Sequence, residues 1–187
     1  MGDQNKNVPR LRFPGYTDAW VKCELGKVIT FVNGRAYKQE EMLDGGKYKI
    51  LRVGNFYTND SWYYSDLELP DNKYIDNGDL IYTWSATFGP HIWSGEKVIY
   101  HYHIWKVVLS EEIDKKFVLQ ILDADRAKII ANSNGSTMIH ITKTDMESKQ
   151  IVIPNIDEQR KIGELFKHLD DLITVNEHKS FNSKLSS

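Results

Sequence analysis

The stretch after Pro154 leaves the chain little freedom. Ile162, Leu165, Leus 169 and 172 recur at alternating steps of three and four, Phe166 and Ile173 widen the stripe, and Asn176 takes the next place in the series. Apolar residues at that spacing line one side of an α-helix, so residues 155–187 are expected to form one long amphipathic helix. Asp157 is the expected N-cap, and Glu158 in the first turn suits the positive end of the helix dipole. The seam weakens where Asn176 and then Lys179 replace apolar residues. Two good heptads fall short of the ~3–4 of a sustained coiled coil, so the stripe has two destinations open, the protein's own core or a partner helix. In the second case an Asn at a seam position can set register and partner number at a cost in stability.

Upstream, the pattern changes. Residues 1–16 form a polar arm with a Pro14-Gly15 turn signal and too few apolar side chains to pack by themselves. Residues 17–154 read as one folding unit. Lys47–Val53 is β-rich, and in Leu80–Ala86 the residues Leu80, Tyr82 and Trp84 alternate with Ile81, Thr83 and Ser85. Val98–Leu109 is β-branched and aromatic on both faces, which predicts one buried central strand. From Phe117 to Ala131 the spacing turns helical, and Asn132–Gly135 should stop that helix. The expected fold is α+β: a globular domain with a mixed or antiparallel sheet over residues 17–154, then a long coiled-coil-like helix with a polar tail over 155–187.

Composition narrows the function. With 41% hydrophobic and 27% charged residues in 187, a packed core is feasible, and no apolar run approaches the ~20 residues of a membrane span. The polar start Met1–Val8 has no apolar signal region, and the lone Cys23 rules out a disulfide framework, so a reducing cytoplasm is expected. A net charge of −2 excludes a strongly basic nucleic-acid binder, although residues 1–60 carry ten basic against seven acidic side chains. There is no phosphate-binding Gly-rich loop, no dinucleotide fingerprint, no His-Glu-x-x-His and no nucleophile elbow.

Three features could still carry chemistry. His101 and His103, two apart on the expected strand, would share a face; the favoured reading is two partly buried, hydrogen-bonded histidines rather than metal ligands. Asp71, Glu147 and Lys149 resemble parts of a metal-dependent nuclease centre but lie far apart in sequence, and surface positions are favoured. Asn55–Tyr64 and Thr83–Trp93 interleave aromatic rings with amides and hydroxyls on Gly-punctuated segments. Such segments can read base edges, or stack on sugars in a carbohydrate- or peptide-binding module, or simply close a core.

Four motifs in order point to one family. Val8-Pro-Arg-Leu-Arg-Phe-Pro-Gly-Tyr16, leading to Trp20 and then Leu25-Gly26, resembles the start of a target recognition domain in the specificity subunits of type I restriction–modification systems. Gly78-Asp-Leu-Ile-Tyr-Thr-Trp-Ser-Ala-Thr-Phe-Gly89 is similar to that family's Gly-Asp strand and following loop, and Gly135-Ser-Thr-Met-Ile-His-Ile-Thr142 to its Gly-Ser/Thr element. Ile151-Val-Ile-Pro-Asn-Ile-Asp-Glu-Gln-Arg-Lys-Ile162 resembles its Ile-Pro-x-x-x-Glu-Gln signature, running into the spacer helix at Leu169-Asp-Asp-Leu-Ile173. The resemblance spans Val8 to His178. It implies a subunit that does no chemistry and has no cofactor of its own. It would read one half of a bipartite double-stranded DNA target and recruit methylation subunits, which use S-adenosylmethionine, and restriction/translocase subunits, which use ATP and Mg. It also implies that the helix start around Glu158-Gln159 contacts a partner subunit. Family members commonly carry two recognition domains and two spacers, whereas this chain carries one of each.

On that reading the candidate DNA contacts are Arg35 and Lys38 in a polar loop, Asn55 and Tyr57 after Gly54, Ser85, Thr87, His91 and Trp93 around Gly89-Pro90, and Asn134, Ser136 and Thr137 around Gly135. The candidate homodimer or subunit interface is Ile162, Leu165, Phe166, Leu169, Leu172, Ile173 and Asn176.

Overall fold

A segment that is hydrophobic on both faces needs cover on both sides, and two such segments organise this molecule. The computed structural model describes residues 8–57, 59–85, 87–132 and 141–185, with side chains of the last helix through Glu177. In chain order the elements are β1 (Val21–Glu24), α1 (Leu25–Val28), β2 (Ile29–Asn33), β3 (Tyr48–Leu51), β4 (Tyr63–Ser65), β5 (Tyr74–Ile75), β6 (Leu80–Thr83), β7 (Gly89–Ile92), β8 (Val98–Tyr100) and β9 (Ile104–Leu109). They are followed by α2 (Lys115–Asn132), α3 (Lys143–Glu147), β10 (Gln150–Ile153) and α4 (Ile156–Leu185).

Among the described residues the strands form three sheets, ordered β2-β9-β6-β7, β4-β3-β8-β5 and β1-β10. All pairings are antiparallel except β3 with β8. The fold is therefore α+β with mixed and antiparallel sheets and a long C-terminal helix, as the sequence predicts.

All four residues of β6 are buried because the strand is covered twice. Leu80 and Tyr82 pack with Phe31, Trp105 and Val107 against Phe117, Val118 and Leu122 of α2. Ile81 points the other way, into a cluster with Leu51, Ile75, Val98 and Tyr100 of the second sheet and Ile104 of the neighbouring β9. Alternation along a strand then puts apolar groups on both faces, and the polar Thr83 turns its hydroxyl to the Gly89 carbonyl at 3.3 Å.

The long run Val98–Leu109 is not the single central strand expected from its composition. It breaks at His101-Tyr102-His103 into β8 and β9, which belong to different sheets. A run that leaves one sheet to enter another packed on it is apolar on both faces throughout, just as one central strand would be.

The last helix also starts differently. Asn155, not Asp157, is its N-cap: the Asn155 Oδ1 accepts from the Glu158 amide at 3.0 Å, and Asp157 pairs with Arg160 at 3.0 Å within the first turn. The first turns of α4 pack on α2. At Gly163 an added Cβ would stand 2.7 Å from the Lys116 Cβ, so the missing side chain permits the close approach. Ile162 joins the core, whereas Leu165, Phe166, Leus 169 and 172, and Ile173 are each 42–56% exposed, and Asn176 is exposed with them. Among the described residues no helix is long and apolar enough to cross a membrane.

Candidate nucleic-acid interface

Strand register brings separate loops to one end of the molecule. Asn33 lies opposite Trp105, Leu51 beside Tyr100, and Thr83 opposite both Ile104 and Gly89. Segments 34–38, 52–57, 59–62, 84–85, 87–88 and 101–103 therefore emerge together, although up to 69 residues separate them in sequence.

One part of this end is a ring cluster. His91 stacks on Phe56 with centroids 4.6 Å apart and meets Tyr57 edge-on at 6.0 Å, its Nε2 lying 3.3 Å from the Tyr57 hydroxyl. Trp93 packs edge-on to Phe56 and donates its indole N–H to the Glu96 carbonyl at 2.8 Å. Asn55 braces the loop below: its Oδ1 accepts from the Arg52 amide, and its Nδ2 donates to the Asn59 and Ser61 carbonyls. His91 and Pro90, expected on a loop, lie in strand β7, because Gly89 begins a ladder on β6.

A second cluster stands where the two larger sheets meet. Trp84 stacks near Trp105 at 5.8 Å, touches His103 edge-on at 5.0 Å and donates its indole N–H to the Tyr102 carbonyl at 3.0 Å. The sequence places Trp84 in the aromatic–polar stretch Thr83–Trp93 and raises His101 and His103 only as metal ligands, so none of them, nor Tyr102, stands among the candidate DNA contacts. The available signal was a polar-aromatic triplet interrupting an otherwise apolar β run.

The cations here are mostly committed. Arg35 grips Glu41 through two hydrogen bonds of 2.6 and 2.9 Å, which hold the Glu41 carboxyl well below its usual range. Lys38 is exposed, with a long 3.9 Å pair to Glu40. Arg52 lies over the Tyr63 ring and donates to the Ser61 carbonyl, and Arg126 of α2 donates to the Phe88 carbonyl at 2.8 Å. Ser85 is half-buried and Thr87 exposed on the turn between β6 and β7. Asn134, Ser136 and Thr137 lie outside the described residues.

Burial pushes the imidazoles of His91, His101 and His103 below their usual range; next in size, Arg126 adds to this at His91, and His103 and Arg52 add to it at His101. The unfolded chain, with histidines near 6.5, then binds more protons than the native state just below that pH. Stability is present above pH 6.5 and declines as the pH falls through the depressed values. The urea midpoint is expected to be lower at pH 5 than at pH 7, and the drop to shrink in His91→Gln. An unchanged midpoint would contradict this.

Among the described residues no group of three or more His, Cys, Asp or Glu could hold a metal ion. His101 and His103 face each other's rings at 4.9 Å across the turn rather than sharing a strand face. Lys149 is bound to Asp125 at 2.8 Å, and Glu147 pairs with Lys143 at 3.5 Å.

The Glu158-Gln159 pair does more than complement a dipole. Glu158 is fully buried and holds the Arg12 guanidinium through bonds of 2.9 and 2.6 Å, fastening the arm to α4 across 146 positions of sequence. Gln159, equally buried, accepts from the Asp114 amide at 2.9 Å and donates to the Glu112 and Pro154 carbonyls. Beside them an apolar groove of about 470 Å³ runs between the arm and α4, lined by Leu11, Phe13, Trp20, Ile162, Leu165 and Phe166.

The family profile described as "Type I restriction modification DNA specificity domain" matches residues 17–182. The chain belongs to this family. Type I specificity subunits are the non-catalytic DNA-recognition components of restriction–modification systems. The chain is 26% identical over 152 residues to the type I restriction enzyme EcoBI specificity subunit of Escherichia coli, covering 79% of this chain and 31% of that protein. It is 24% identical over 176 residues to the MjaVIII specificity subunit of Methanocaldococcus jannaschii, covering 91% and 40%. The fold matches the HsdS subunit from Thermoanaerobacter tengcongensis with a TM-score of 0.68 at 15% identity, over 90% of this chain and 41% of that one. A chain from a structure on complex assembly and conformational transition of the type I R-M system gives 0.70 at 15% identity, over 88% and 42%. This specificity domain thus spans about a third to two fifths of the length of these relatives.

Proposed function

We propose that this domain reads one half of a bipartite double-stranded DNA target and presents it to methylation and restriction/translocase subunits. S-adenosylmethionine, ATP and Mg belong to those partners. The observation that carries the reading is the convergence of polar-aromatic segments at one end of two packed sheets. Sequence reading needs hydrogen-bonding side chains on a rigid support, and this end supplies hydroxyls and an imidazole at Tyr57, Ser85, Thr87 and His91, with Asn55 bracing their loop and Trp93 behind them. Arg35, oriented by Glu41, and Lys38 flank the surface for phosphate contact; Asn134, Ser136 and Thr137 would add hydroxyl and amide contacts to the backbone.

One such head discriminates about three to four base pairs, because each contact pair yields only ~1–3 kcal/mol. That is too little for a useful site in a genome, so a second head is needed. We further propose that two copies associate through the exposed stripe Leu165–Ile173 of α4, giving a twofold assembly and a symmetric split target.

The test is duplex-DNA binding by the complex with a methylating partner. Affinity is expected to fall steeply as salt rises, since phosphate neutralisation releases counterions. Absence of DNA binding together with saturable sugar or peptide binding would replace the reading with that of an aromatic-loop binding module.

A further inference from the structure

We infer that the turn His101-Tyr102-His103 is a prebuilt base-contacting element, with Tyr102 at its tip. The inference rests on the DNA reading above and assigns the residues at the centre of that surface.

The turn's backbone is occupied from every side. The His101 amide donates to the Leu51 carbonyl at 2.9 Å, and the Tyr102 amide to the Arg35 carbonyl at 3.1 Å. Its three carbonyls accept from the Ile104 amide at 3.0 Å, the Trp84 indole at 3.0 Å and the Trp84 amide at 3.2 Å. Two of the loops at this end, through Arg35 and Trp84, and the last residue of β3 are thereby bonded to one turn, which places it at their centre. Gly34 passes so close that an added Cβ would lie 2.2 Å from the His101 carbonyl oxygen. Such a turn loses little conformational entropy on binding, which is what a reading element requires.

Its side chains are free where its backbone is not. Tyr102 is 40% exposed, with its ring against His101 and His103 at 4.3 and 4.0 Å. Among the described residues the Tyr102 hydroxyl and the ring nitrogens of His101 and His103 have no hydrogen-bond partner. A phenol and an imidazole can each donate or accept, which suits base edges. Burial holds both imidazoles below their usual range, so near neutral pH they offer hydrogen bonds rather than the fixed charge that phosphate contact uses.

The experiment uses the complex with its methylating partner and compares Tyr102→Ala and Tyr102→Phe with the parent. Salt-dependent DNA affinity and the map of methylated adenines are the readouts. Tyr102→Ala is expected to lower discrimination at one position of the half-target by about tenfold, with the salt slope unchanged. Tyr102→Phe separates the hydroxyl from the ring: loss in both variants assigns the hydroxyl, and loss in Ala alone assigns the ring. An unchanged target with unchanged affinity overturns the inference, as does a shallower salt slope with an unchanged target, which would make the turn a phosphate contact. If the parent complex shows no salt-dependent DNA binding, the DNA reading itself fails and takes this assignment with it.

Discussion

Gln159→Ala is expected to lower the unfolding free energy by about 3 kcal/mol. Its amide satisfies two carbonyls, those of Glu112 and Pro154, and one backbone donor, that of Asp114. Truncation leaves these groups buried without partners, and each such loss costs more than the net worth of the hydrogen bond. The damage spreads because Asp114 caps α2 through its Oδ1, which accepts from the Lys116 and Phe117 amides at 2.9 and 3.0 Å. One side chain at the start of α4 thus sets the start of α2, and the two helices dock against each other. Gln159→Leu keeps most of the volume and loses all three bonds, so it should be about as damaging; a loss below about 1 kcal/mol in urea unfolding of both variants would show that water replaces the amide.

Leu169→Lys is expected to convert a dimer to monomers while leaving the fold of each copy intact. In a single copy Leu169 is 42% exposed and belongs to none of the three core clusters. In an antiparallel pair centred on it, Leu165 would meet Ile173 and Phe166 would meet Leu172 of the second copy. A lysine on the axis would face its own image, burying two like charges where two leucines had been. Forfeiting the burial of the exposed 42% of each leucine, about 1 kcal/mol per copy, and setting two like charges face to face weakens association by at least about tenfold. Sedimentation equilibrium reads this directly. A parent chain that stays monomeric at every concentration would instead assign the stripe to a different partner.

How far these features were readable from sequence differs by residue. The α4 helix was readable because its signal is local: a repeat of three and four recurs within a few turns whatever the rest of the chain does. The Asn155 cap was not, since Asn155 and Asp157 are equally good caps in isolation; Gln159, anchored to Glu112 and Asp114, fixes where the helix begins. Glu158 was readable as a first-turn acid, but its partner Arg12 lies 146 positions away, and only the folded topology brings them together. Arg35 looked like a free cation because Glu41, six residues on, has no regular-structure reason to reach it.

Local periodicity and capping chemistry therefore determined the α+β class, the long terminal helix and its apolar seam, because those depend on neighbours within a turn or a strand pair. The tertiary structure decided that Val98–Leu109 divides between two sheets, that Gly89-Pro90 begins a strand, and that His101-Tyr102-His103 stands where two loops meet the end of β3. Hydrophobic burial is non-directional, so an apolar run records that it is covered but not by which sheet, and that choice falls to contacts between residues far apart in the chain.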